Sequence, residues 1–304
     1  MKNRFKALIA LVLFVALAWS ALWGVGAYLI NQQADQLFAS NSQTEVSCEE
    51  FSVTGYPFRY DVYCGNGTVR SQDTEIKFKG IKAATRIYSP THLVGYLESP
   101  VLWTDEFTGS QRELSFSDAQ WSVRANWQLE LQRASLVANQ IAWADNLLGR
   151  FELANAGQFE AHLLASPNSE QGLQAFVKTT SANLVELALT ETDARIEVDA
   201  QNFDRKIANW QNSNLLRDWQ AADGKLLVNQ LDVKASTLAF TAEGEIALDQ
   251  NGLLNGKITT KSKGLVELFE PEAYGPLAPT IFGVANSDGE YQSLWQANAG
   301  TISI

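Results

Sequence analysis

The chain has 304 residues, 23 basic and 34 acidic side chains, a formal net charge of −11 and 46% hydrophobic residues. That apolar content argues against disorder and suffices for one large domain or two smaller ones with real cores. The acidic excess repels phosphate backbones and argues against nucleic acid as a partner.

Ala7–Ile30 is free of charge, and none falls between Lys6 and Asp35. At 1.5 Å per residue such a helix reaches roughly 36 Å, enough to cross a hydrocarbon core of roughly 30 Å with some tilt. Only a helix satisfies its own backbone groups there, so a transmembrane helix is predicted over 7–30. Lys2, Arg4 and Lys6 precede it, and the first charges after it are Asp35 and Glu45. The positive-inside rule then leaves 1–6 as a cytoplasmic tail and puts 31–304 outside the cytoplasm. Trp19, Trp23 and Tyr28 gather toward the far end of the span, where aromatic rings favour the interface. A cleaved signal peptide is the rival reading, since Ala16-Leu17-Ala18 resembles a small-x-small cleavage site, although the apolar run continues through Ile30. Either way the same domain reaches the same compartment.

From Asn31 to about Ser47 the polar chain is expected to continue the helix before handing over to sheet. Cys48 and Cys64 are the only cysteines, and an even pair in an oxidising compartment points to a structural disulfide. A redox-active pair lacks the Cys-x-x-Cys spacing that would support it. Between them two strand-like runs flank a Gly55-Tyr56-Pro57 turn, and a hairpin centred on Tyr56 places Cys48 opposite Cys64. Phe51 and Val53 alternate on odd positions but Phe58, Tyr60 and Val62 on even ones, so a bulge near Glu49-Glu50 is expected.

Further along, Thr74–Arg86 alternates as a half-buried strand. A short helix is expected over His92–Leu97, then a strand over Val101–Thr104 and a turn near Thr108-Gly109. Trp121, Val123, Ala125, Trp127, Leu129 and Leu131 occupy every second position with polar residues between them, which predicts a strand with one dry face. Strands follow over Leu136–Trp143, Phe151–Leu153, Phe159–Leu163, Leu173–Val177 and Ala194–Ala200, with a helix over Ala182–Leu189. Asp204 is a fair N-cap and Gly224 a fair stop for a helix running to about Ala222, in which Ala208, Leu215, Trp219 and Ala222 share one arc. Strands over Lys225–Ala235, Leu238–Ala242, Glu245–Leu248 and Leu254–Thr260 are separated by Glu243-Gly244 and Asp249-Gln250-Asn251-Gly252, a meander of hairpins. A last helix near Leu265–Phe269 precedes a tail with Pro271, Pro276 and Pro279, and the closing residues read as a strand.

The fold class is therefore mainly β with α: an N-terminal transmembrane helix, then a long antiparallel, meander-rich sheet partly covered by short helices. Residues 31–304 form the body, for which a division into lobes at about 45–200 and 201–304 is one reading. Little here supports an enzyme. His92 and His162 stand apart from any metal-ligand spacing, and no nucleophile elbow, zinc-protease motif or dinucleotide fingerprint occurs. Gly252–Lys257 loosely resembles a phosphate loop, but its glycines are one position too close and Ile258 stands where Ser or Thr belongs. Asn66-Gly67-Thr68 is a formal glycosylation sequon, read as a turn. No catalytic residue, metal ligand or cofactor is expected.

Two segments carry a resemblance. VTGYPFRYDV at 53–62, with its flanking cysteines, resembles the Gly-aromatic-Pro-aromatic-Arg signature of a bacterial family called domain of unknown function 2125. DWQAADGKLLVNQLDV at 218–233, continuing into AEGEIALDQNGLLNGKI at 242–258, is similar to that family's second half, where a Trp-bearing helix precedes a meander. Asp223 departs from the Gly expected at that joint. The resemblance implies no catalytic residues. In architecture the chain also resembles AsmA-type envelope proteins, which implies lipid handling by analogy only. Two functions are carried forward. One is a lipid- or hydrophobe-binding module in envelope maintenance, with Trp121, Val123, Trp127, Leu129 and Trp143 lining an apolar sheet face. The other is a non-catalytic scaffold binding envelope proteins through strand edges or its acidic surface.

Overall fold

The computed structural model describes residues 2–39, 44–211, 214–268 and 282–303. Among them fifteen strands, every pair antiparallel, follow one long helix in a meander, with a few short helical turns between strands. The chain forms two compact units, Met1–Leu114 and Ser115–Ile304. The lobe boundary expected near residue 201 falls inside the second unit, where the strands on either side of it pair directly.

In the first unit, α1 (Lys2–Ala39) extends past the predicted span at both ends. Then β1 (Thr44–Thr54), β2 (Arg59–Ser71), β3 (Thr74–Arg86), β4 (Ser89–Asp105) and β5 (Ser110–Ser115) lie side by side in chain order. The large apolar side chains of α1 from Phe5 to Leu17 are exposed, and the helix is long and apolar enough to cross a membrane. Its later half covers the edge strand β1, with Ala34 buried and Phe38 edge-on to Phe51 at 5.5 Å. A helix over a sheet edge blocks further strand addition.

Between these halves α1 meets the β1–β2 turn. Trp19 Nε1 donates to the Pro57 carbonyl at 2.8 Å and Trp23 Nε1 to the Arg59 carbonyl at 2.9 Å. Tyr60 stacks on Trp23 at 5.5 Å and its hydroxyl donates to the Trp23 carbonyl at 3.2 Å. Burial pushes the Tyr60 phenol up. Gly26 makes room for that ring, since a Cβ there would lie 2.1 Å from the Tyr60 hydroxyl oxygen.

Cys48 and Cys64 form the expected disulfide, their Cα atoms 5.5 Å apart. The register differs from the expected one. Phe51 pairs with Cys64 and Val53 with Val62, so the apolar faces decide the alignment and Cys48 stands opposite Gly67. The ladder keeps this alignment on both sides of Glu49, with no offset there, but lacks the Glu49–Asn66 pair. Asn66 has φ 46°, and such a left-handed residue bends the strand locally as a bulge does. The sequon at 66–68 is thus strand, not turn.

The helix expected over His92–Leu97 is part of β4 instead, where Leu93, Gly95 and Leu97 pair with Thr85, Ala83 and Ile81. A ready-made edge on β3 outweighs a weak helical pattern. Val101–Thr104 belongs to the same strand, and Pro100 sits at a register shift, where its missing N–H interrupts no ladder bond. The turn at Gly109 is present, with φ 72°.

The second unit runs β6 (Asp118–Ala125), β7 (Leu131–Asp145), β8 (Phe151–Ala165), β9 (Gly172–Leu184) and β10 (Leu189–Gln201), then β11 (Lys225–Lys234), β12 (Ala239–Leu248), β13 (Leu254–Lys263), β14 (Tyr291–Asn298) and β15 (Thr301–Ser303), each beside the next. The strand expected from Trp121 to Leu131 stops at Ala125. Asn126 Oδ1 accepts the backbone N–H groups of Gln128 and Glu130, and Leu129 takes φ 59°. The alternation simply runs on through a turn. The two pieces expected at 151–153 and 159–163 are halves of β8, creased at Gly157 between Gln140 (φ 49°) and Ser181 (φ 51°) on its neighbours.

The helix expected over Ala182–Leu189 is the end of β9, a turn, and the start of β10; Ala188 N–H donates to the Val185 carbonyl at 3.2 Å. The helix expected from Asp204 to Ala222 is a 3₁₀ turn, Ile207–Gln211, and α2, Leu215–Ala221. Asp204 caps the first, accepting from Lys206 N–H at 2.9 Å and Asn209 Nδ2 at 2.5 Å. Burial opposes the charge of its carboxylate, and those donors outweigh it and hold its pKa below the usual value. Gly224 N–H closes α2 on the Trp219 carbonyl at 2.9 Å. Glu243-Gly244 lies within β12 rather than between strands, whereas Asp249–Gly252 is the expected turn, with Asp249 Oδ1 accepting from Asn251 and Leu253. α3 (Leu265–Leu268) stands at the last predicted helix. Phe269 and the Pro271–Pro279 tail lie outside the described residues.

Candidate functional site

A strongly apolar concavity lies on β11–β15. Cross-strand pairing builds it in rows. Ile246, Gly256, Ala297 and Ile302 line up across four strands, and Gly244, Ile258 and Trp295 form the next row. Leu231 and Thr260 flank Ala242 in a third. Small residues alternate with large ones along these rows, so Gly256, Ala242 and Ala297 make a floor between walls of Leu231, Phe240, Ile246, Ile258 and Trp295.

The glycines are required by backbone approach as well as by shape. A Cβ on Gly256 would come within 2.2 Å of the Glu245 carbonyl oxygen, and one on Gly244 within 2.2 Å of that of Lys257. The result is a groove of about 350 Å³, walled almost wholly by carbon. That volume is at the small end of ligand pockets. Trp295 Nε1 donates to Thr260 Oγ1 at 3.3 Å, which satisfies its one polar atom. The groove offers shape and apolar contact, which suits a hydrocarbon chain.

None of the five residues expected to line an apolar face borders this groove. Trp121 and Val123 sit on β6 opposite Leu136 and Ala134, and Trp143 on β7 opposite Ala154. Trp127 and Leu129 are in the Asn126–Glu130 turn, 76% and 56% exposed. Sequence reasoning passed over Trp295 altogether. The signal that could have found the groove is the alternation Leu254, Gly256, Ile258, Thr260, in which small and large residues share one face.

The two histidines are placed apart. His162 Nδ1 lies 2.9 Å from Ser135 Oγ, and its ring stacks on Phe176 at 5.8 Å. His92 lies on β4. Among the described residues no three His, Cys, Asp or Glu side chains are grouped to hold a metal.

No curated protein and no solved structure matches the chain. One family does match, over residues 23–280, taking in the 53–62 signature, both cysteines and the groove strands through β13. The chain therefore belongs to the family described as an uncharacterized protein conserved in bacteria, DUF2125.

Proposed function

We propose that the chain is a non-catalytic, hydrophobe-binding module of the bacterial envelope, tethered by α1 to the inner membrane with its body in the periplasm. The carbon-walled groove over β11–β15 carries this reading, and an acyl chain is the occupant its shape and lack of polar groups suit best. The long apolar helix supports the tether, and a disulfide supports a compartment outside the cytoplasm.

The full chain, extracted in a mild detergent and stripped of lipid, should bind a fluorescent fatty acid at about one per chain. Ala297→Phe fills the floor of the groove and should weaken that binding about tenfold or more, with an unchanged unfolding midpoint. Equal binding by wild type and Ala297→Phe would remove the groove from the account. A lipid-free chain that instead retains one defined envelope protein would replace this function with that of a scaffold.

A further inference from the structure

We propose that Arg59, Arg86 and His92, at the helix-facing end of the first unit's sheet, bind the phosphate of a phospholipid head group. The proposal rests on the membrane tether but not on the hydrophobe-binding groove.

Arg59 and Arg86 are cross-strand partners on β2 and β3. Like charges directly opposite one another destabilise a sheet unless an anion lies between them. Both border a cavity of about 240 Å³ with Thr85, Ser89, His92 and Val94. One carboxylate is already spent there, since Asp61 Oδ2 pairs with Arg59 at 2.7 Å. That pair leaves the other edge of the Arg59 guanidinium, 59% exposed, for a second acceptor. Arg86 lies over the Tyr88 ring at 5.9 Å and has no carboxylate partner among the described residues.

The surroundings indicate which anion. The cavity is at the end of the sheet where α1 meets the β1–β2 turn. Tyr56, Phe58 and Tyr88 project there, 56%, 63% and 68% exposed, and Ile87 N–H ties the Tyr88 turn to the Phe58 carbonyl. Aromatic rings with one polar end favour the head-group layer. From Phe5 to Trp23 the helix runs about 27 Å, close to the thickness of a hydrocarbon core. The body packs on α1 from Trp19 onward, so the span closes at Trp19–Trp23 rather than at the Ile30 expected from sequence, which sets this end of the sheet at head-group depth.

Charge is sorted the same way along the strands. The opposite end carries Glu45, Asp73, Glu75, Asp105 and Glu106 around Arg70. In a chain of net charge −11, the end of the sheet nearest the span carries Arg59, Arg86 and His92 against the single carboxylate of Asp61.

Native mass spectrometry of the full chain in a neutral detergent tests this, with phosphatidylglycerol and the diacylglycerol of the same acyl chains as paired probes. Arg86→Gln is the variant of choice because it leaves the Arg59–Asp61 pair intact. Wild type should retain phosphatidylglycerol in preference to diacylglycerol, and Arg86→Gln should lose about tenfold of that preference, the scale of one charge-assisted hydrogen bond. Arg86→Lys should recover part of it. Ala297→Phe should keep the preference in full, which separates this site from the groove. An Arg86→Gln chain with undiminished preference would overturn the proposal. So would millimolar inorganic phosphate binding to the lipid-free chain and abolishing the preference, because the pocket would then be a site for free phosphate.

Discussion

Gly55 opens the turn on which α1 rests. It holds φ 102°, and a Cβ there would lie 2.8 Å from the Arg59 carbonyl oxygen, which is backbone and cannot swing aside. Gly55→Ala should therefore cost about 1–3 kcal/mol in urea unfolding. Gly109→Ala, at φ 72° but in open space, should cost less. Glu75 gives a pH signature. The Lys77 ammonium, hydrogen-bonded to it, lowers its pKa below 4.5; burial opposes this and Arg70 adds to the lowering. A carboxylate with a folded pKa below its unfolded one adds stability above the unfolded value and loses it as pH falls through the folded value. The gap in melting temperature between wild type and Glu75→Gln should be widest at neutral pH and narrow progressively as pH falls below the ordinary carboxylate range of about 4. Asp199 is fully buried, with Oδ2 accepting from Ser166 Oγ at 2.9 Å and Asn168 Nδ2 at 2.8 Å. Asp199→Ala strips two donors of their acceptor and should cost about 1–3 kcal/mol, read as a lower thermal midpoint.

At the scale of elements, the disulfide staples β1 to β2 across a sequence separation of 16. By loop-closure entropy, Cys48→Ser with Cys64→Ser should lower stability by about 3 kcal/mol in denaturant titration. The elements that were legible in advance are those whose pattern and tertiary setting agree. α1 was readable because no other structure tolerates so long an uncharged run. β3, β11 and the Asp249–Gly252 turn were readable because alternation and turn chemistry pointed the same way. His92–Leu97 and Ala182–Leu189 failed because short apolar runs suit helix and strand alike, and an adjacent strand edge decided between them. Trp121–Leu131 failed for another reason: alternation reports side chains, while the break at Asn126 is made by a side-chain oxygen satisfying backbone N–H groups. The creases at Asn66, Gln140 and Ser181 were invisible because only Asn among these residues commonly takes φ > 0. The groove was only partly legible. The alternation Leu254, Gly256, Ile258, Thr260 marks one face of one strand, but its floor of Gly and Ala takes shape only when four strands stand in register.

At the scale of the whole molecule, every functional proposal depends on which compartment the β-rich body occupies. The groove meets lipid, Arg86 meets head groups and the cysteines stay oxidised only if α1 holds that body outside the cytoplasm. The most direct measurement is thiol labelling of the native chain in intact cells, quenched in acid and alkylated with a mass tag before and after reduction. The expected result is no tag on Cys48 or Cys64 until a reductant is added, then two per chain. Two tags per chain without reductant would place the body in a reducing compartment and contradict the account.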